Sequence, residues 1–63
     1  MKQFFVIVNE YGEFYNSALE SFVDIIKEAT QYPVEDKNSK KDIRNRLMKL
    51  DDGFYTVVKY FEV

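Results

Sequence analysis

The chain has 63 residues, a net charge of −2 and neither cysteine nor histidine. That composition excludes disulfide and zinc–thiolate staples and removes the side chain that ordinarily titrates nearest neutrality. The length allows one domain over residues 1–63, and a domain this small buries only roughly 60% of the surface its unfolded chain exposes.

What remains to hold such a fold is aromatic packing or self-association. Six Phe and five Tyr are available, and each ring can bury about 150–250 Å². Gln3 to Asn9 (QFFVIVN) contains five consecutive apolar residues of aromatic and β-branched type. Such a run predicts a strand buried on both faces, in the middle of a small sheet. Asn9-Glu10-Tyr11-Gly12-Glu13 follows, with glycine placed to supply a left-handed backbone angle. The pattern predicts a tight hairpin with a loop of about three to four residues. Glu13-Phe14-Tyr15 reads as a short return strand at the sheet edge, where brevity and charge are tolerated.

Asn16 or Ser17 is then the expected cap of a helix, and Ser17-Ala18-Leu19-Glu20 fits a capping box, in which serine and glutamate satisfy two orphan amides of a helix start. Leu19, Phe22, Val23, Ile26 and Thr30 then recur at helical spacing, and Ala18, Ile25 and Ala29 widen the stripe. Glu20, Asp24 and Glu28 recur on the opposite side. The spacing predicts an amphipathic helix of about fourteen residues. Tyr32-Pro33 ends it, because the residue before proline avoids helical angles. After a polar connection over Val34 to Asn38, Ser39 is the expected cap of a second helix, with Asp42 as capping-box partner. Ile43, Leu47 and Leu50 line its narrow apolar face. Asp51-Asp52-Gly53 stops that helix and turns the chain into a last strand over residues 54–63 (FYTVVKYFEV).

The expected order is therefore β-β-α-α-β. It predicts a two-layer α+β fold, with a three-stranded, mostly antiparallel sheet and two helices on one face. The first strand lies between the hairpin strand and the last, which runs antiparallel to it.

Both faces of both long strands are apolar. Phe4, Val6 and Val8 oppose Phe5 and Ile7; Tyr55, Val57, Phe61 and Val63 oppose Phe54, Val58 and Tyr60. Helices on one side leave the other as an open patch of Phe5, Ile7, Tyr55, Val57 and Phe61. A large contiguous apolar patch marks an interaction site, here for a protein partner or a second copy in a homodimer. The competing reading is that these rings pack on one another and on Tyr11 or Tyr32 from a folded-back loop.

Charge is segregated along the chain. Glu10, Glu13, Glu20, Asp24, Glu28, Glu35 and Asp36 face a single basic residue, Lys27, over the first part. Lys37, Lys40, Lys41, Arg44, Arg46 and Lys49 then crowd residues 37–49, with Asp42 alone among them. Lys37, Lys40, Lys41 and Arg44 have the spacing of one helical ridge. Three readings compete. The basic helix answers the acidic face Glu20, Asp24, Glu28 in weak surface pairs. Or the ridge touches nucleic acid, although the overall balance is acidic. Or the acidic face meets a partner of complementary charge by imitating a phosphate backbone.

The chain has no Gly-rich phosphate loop, no thiol and no imidazole. Ser17, Ser21 and Ser39 sit at or near helix starts, where capping explains them. Asp51-Asp52-Gly53 reads as turn chemistry rather than a cation site. No cofactor or metal is expected, and an enzyme is the least expected class. The apolar run after Met1-Lys2 is shorter than the about 7–15 residues of a signal-peptide core. No segment approaches the roughly 20 apolar residues of a membrane span. The expected location is cytoplasmic, with no membrane partner. A lean toward Lys, Asn, Ile, Tyr and Phe with little Ala or Gly suits an AT-rich genome. Size and bias together point to a non-enzymatic protein-binding regulator or inhibitor, encoded by a phage or plasmid and acting on a host protein such as a nucleic-acid-binding enzyme. The alternative is a nucleic-acid-binding regulator that uses helix 37–49.

Overall fold

A computed structural model describes residues 2–50 and 53–62. Strand β1 (Lys2–Asn9) runs through the middle of a five-stranded antiparallel sheet. On one flank it pairs along its whole length with β5 (Tyr55–Glu62), from Lys2↔Glu62 to Asn9↔Tyr55. Its other flank is shared. β2 (Phe14–Asn16) takes the C-terminal end at Val8↔Phe14, and β4 (Tyr32–Pro33) takes the N-terminal end at Phe4↔Pro33 and Phe5↔Tyr32. Outside β2 lies β3 (Ser21–Val23), paired through Phe14↔Val23, Tyr15↔Phe22 and Asn16↔Ser21.

The first hairpin is built by one side chain. Asn9 Oδ1 accepts the amides of Tyr11 (3.0 Å) and Glu13 (2.9 Å), and Asn9 Nδ2 donates to Glu13 Oε1 (3.0 Å). Gly12 supplies the left-handed angle at φ 80°, where a Cβ would be disfavoured.

The expected β-β-α-α-β fold with three strands and two helices is corrected here. There is one α-helix among the described residues, α1 (Ser39–Lys49). The segment expected as the first helix is a second hairpin, β2–β3, followed by a 3-10 turn at Ile26–Glu28. Its loop is held by one local and one distant side-chain oxygen in place of the expected capping box. Asn16 Oδ1 accepts the Leu19 amide (2.9 Å), and the Ser17 amide donates to Thr30 Oγ1 (2.7 Å). β2 is consequently an inner strand rather than an edge.

The reason lies in the core. Val6 and Ile7 on β1 are fully buried on opposite faces, so both faces need cover. A single helix over 17–30 would place its apolar stripe on one face only. The observed path divides it. Tyr15 and Phe22 join Ile7, Phe5 and Ile43 on one face, while Ile26 and Ala29 close over Phe4, Val6 and Val8 on the other. Phe4 there leans on Tyr60 with ring centroids 5.0 Å apart. Complete burial of an aliphatic side chain contributes about 1.5–3 kcal/mol, enough to override the weak helical preference of a segment rich in β-branched residues.

α1 covers the Ile7 face with Ile43, Leu47 and Leu50. Its start differs from expectation. Ser39 is the first helical residue, not the cap; its hydroxyl donates to the Pro33 carbonyl at 2.6 Å. Asp36 organises the entry, accepting the Asn38 amide at Oδ1 (2.8 Å) and the Ser39 amide at its carbonyl (3.0 Å). The turn chemistry expected of Asp51-Asp52 and the parity of Val63 lie outside the described residues.

Candidate functional site

The direction of the main-chain groups on β5 follows from those on β1. The Asn9 amide donates to Glu13 and the Gln3 carbonyl accepts from Val34, so odd-numbered residues of β1 bond toward β2 and β4. Antiparallel ladders alternate. Phe4, Val6 and Val8 therefore bond toward β5, to Tyr60, Val58 and Thr56. The N–H and C=O groups of Tyr55, Val57, Lys59 and Phe61 point the opposite way, to the outer edge of β5. Among the described residues, β5 pairs with β1 alone. The same alternation explains why Pro33 is tolerated in β4. Its partner is Phe4, at a position that exchanges no hydrogen bond, so the missing N–H costs nothing.

The side chains at this edge are open as well. α1 makes its principal strand contact with β4, on the far flank of β1 from β5. β5 is left thinly covered on both faces. Phe54 is 79% exposed just before the strand, and Val57, Val58 and Phe61 are 39%, 40% and 50% exposed within it. These are half of the exposed large apolar side chains among the described residues; Tyr11, Leu19, Ile25 and Met48 are the rest.

The expected patch of Phe5, Ile7, Tyr55, Val57 and Phe61 does share one face, since Ile7 opposes Val57 and Gln3 opposes Phe61. That face, however, is the one under α1. Ile7 is core, Phe5 is half-buried against the same cluster, and Tyr55 stacks on Phe22 at 6.0 Å with the planes 7° apart. Only Val57 and Phe61 of the five stay open, because α1 sits off to the β4 side.

Glu20, Asp24 and Glu28 are all exposed but form no helical stripe. Glu20 lies in the β2–β3 loop, Asp24 in the bend after β3 and Glu28 in the 3-10 turn. The pairing of an acidic helix with a basic one is therefore not available to this fold. Lys40, Lys41 and Arg44 lie exposed on α1, and Lys37 lies in the turn before it rather than on the ridge.

One group of contacts had no signal in the spacing. Arg46 lies over the Tyr15 ring, 5.6 Å from its centroid. It borders a polar cleft of about 330 Å³ with Tyr32, Ser17, Thr30, Asp42 and Lys49. Burial raises the Tyr32 phenol above its ordinary pKa, with the Arg46 charge opposing the rise. The hydroxyls of Ser17 and Thr30 satisfy each other at 2.9 Å, and the cleft holds no imidazole or thiol to act as base or nucleophile. No group of three or more potential metal ligands converges among the described residues. No helix there is long and apolar enough to cross a membrane. Compared with known protein families, curated proteins and solved structures, the chain matches none.

Proposed function

We propose that this chain is a small non-catalytic protein-binding module, a regulator or inhibitor, whose recognition element is the outer edge of β5. One observation carries the reading. The main-chain donors and acceptors of Tyr55, Val57, Lys59 and Phe61 face outward on a strand flanked by exposed Phe54, Val57, Val58 and Phe61. An extended partner segment adds to such an edge through main-chain hydrogen bonds, and pockets between alternate side chains supply selectivity. Long apolar edges are normally blunted; here Lys59 is the one charged side chain within the central stretch Thr56–Phe61.

The test uses proline. The Val57 N–H faces outward, so Val57→Pro removes an edge donor without breaking the β1 ladder. Proteins retained from host extract by the wild-type chain should be lost by Val57→Pro, with circular dichroism unchanged. An identical retained set with the folded variant, together with unchanged self-association, rejects the edge.

A second reading is phosphate contact by α1. It is favoured by the exposure of Lys40, Lys41 and Arg44 together, with no acidic helix opposite them among the described residues. Binding to duplex DNA across a salt series checks it. Each phosphate neutralised contributes about −0.9 to the log–log slope, and a flat response removes this reading.

A further inference from the structure

The β5 edge is complementary to its own inverted copy, and from this we infer that it pairs antiparallel with β5 of a second copy of the chain. The inference rests on the edge-binding reading and names the partner of that edge.

A two-fold axis perpendicular to the sheet keeps each face of one sheet continuous with the same face of the other. Facing residues must then have the same parity, which leaves few registers. The outward main-chain groups belong to the odd-numbered residues, and these must form the hydrogen-bonded pairs. Centring the axis on Val58 sets Val57 opposite the second copy's Lys59, and Tyr55 opposite its Phe61. Each of these pairs occurs twice, giving about eight main-chain hydrogen bonds. On the other face Val58 meets Val58 and Thr56 meets Tyr60.

The side chains select this register over its neighbours. Moving the axis to Lys59 stacks lysine on lysine, and like charges directly opposite are destabilising. Moving it to Val57 shortens the overlap of Tyr55–Glu62 with its copy and withdraws Phe61 from Tyr55. The Val58 register has no like charges facing and two aromatic pairs, each of a kind that stabilises a sheet. It also closes. Pairing consumes both outer edges, so a dimer forms rather than a fibre. Exposed Val57, Val58 and Phe61 each gain a cross-strand neighbour in this register.

The closing experiment exploits the absence of cysteine in the chain. On the axis, Val58 forms a pair that exchanges no hydrogen bonds, with Cα atoms about 4.5 Å apart, within disulfide range. Val58→Cys should cross-link to a covalent dimer under mild oxidation, at least about tenfold faster than Val57→Cys. Sedimentation of the wild-type chain should show a concentration-dependent dimer. Val57→Lys sets lysine against lysine at two symmetric places and Val57→Glu sets a carboxylate there instead. The lysine variant should dimerise about tenfold more weakly than the glutamate variant. Equal weakening by the two, or faster cross-linking through position 57, overturns the register. A wild-type chain that stays monomeric at every concentration overturns self-pairing. If such a monomer still loses its retained partners on Val57→Pro, the edge-binding reading stands while this inference falls; if it does not, both fall.

Discussion

Val6 and Ile7 are adjacent in the chain, both fully shielded from solvent, and each belongs to a different core. Val6 is closed over by Ala29 and Ile26 of an irregular segment, Ile7 by Ile43 of a helix. The sheet is therefore held from both sides by elements of unequal regularity. Ile7→Val should cost about 0.5–1.5 kcal/mol and Ile7→Ala about 2–5 kcal/mol, the larger loss including the cavity left behind. For a domain of this size the second figure approaches the whole stability. Urea midpoints for the two variants check it, and a small cost for Ile7→Ala would mean that α1 does not seal that face.

Much of this organisation was readable in the residues, and the unread part has one cause. β1 and β5 are apolar at both parities, and that local signal is enough to read them as the two long strands of the sheet, although β5 lies at its edge. Gly12 marks its turn, and Ile43, Leu47 and Leu50 mark the face of α1. The stretch from Ser17 to Thr30 carries an apolar stripe of helical period as well, yet it folds as a hairpin and a 3-10 turn. What decides between them is the exposed second face of β1, and no window within 17–30 contains that information. The price is visible in Leu19 and Ile25, which a helix would have turned inward or flanked and which here face solvent. The candidate site was limited in the same way. Alternation put Phe5, Ile7, Tyr55, Val57 and Phe61 on a common face. The sideways offset of α1 toward β4, which leaves only the β5 end of that face open, is a tertiary fact. Tyr32-Pro33 marks the end of the expected helix because the residue before proline avoids helical angles; with no helix there, the pair is instead strand β4, and Pro33 sits where the ladder needs no N–H.

Ser39 offers a test of how α1 begins. It is 2% exposed, and its hydroxyl donates to the Pro33 carbonyl at 2.6 Å, tying helix to β4. Asn38 holds the cap position and makes no side-chain cap bond. Ser39→Ala should cost about 0.5–1.5 kcal/mol through the lost hydrogen bond alone, because the Pro33 carbonyl keeps the Asp36 amide at 3.2 Å, while Asn38→Ala should stay within about 0.5 kcal/mol. Chemical denaturation of the two variants gives the ranking. The reverse order is what a helix capped at Asn38 would produce.

Tyr32 links stability to alkaline pH. Its phenol is raised above the ordinary value of 10.0, chiefly by burial, with Tyr15 and Asp42 adding to the rise and Arg46 opposing it. The sign follows. Below the unfolded pKa both states hold the proton and the neutral ring contributes fully. As pH rises, the unfolded chain loses its proton first, the folded state binds more protons, and stability falls until the folded pKa is passed. Between about pH 9 and pH 11 the wild-type urea midpoint should drop more steeply than that of Tyr32→Phe. Parallel curves would remove Tyr32 as the source.

Glu20 gives the sharpest check on the second hairpin, with Gly12 of the first hairpin as its control. Both hold left-handed angles, at φ 51° and φ 80°, and Glu20 does so as the only non-glycine among the described residues. A side chain in that region is disfavoured by contact between Cβ and the following carbonyl. Glu20→Gly should therefore stabilise the fold by about 0.5–1 kcal/mol, and Gly12→Ala should destabilise it by a similar amount. If residues 17–30 were helical, Glu20→Gly would have the opposite sign, a loss of about 1 kcal/mol for glycine replacing the capping-box glutamate in the first turn. The two outcomes differ by about 2 kcal/mol, well beyond the error of a denaturation midpoint. One substitution at Glu20 thus decides between the hairpin that caps the Ile7 core with Phe22 and the helix that the spacing alone suggests.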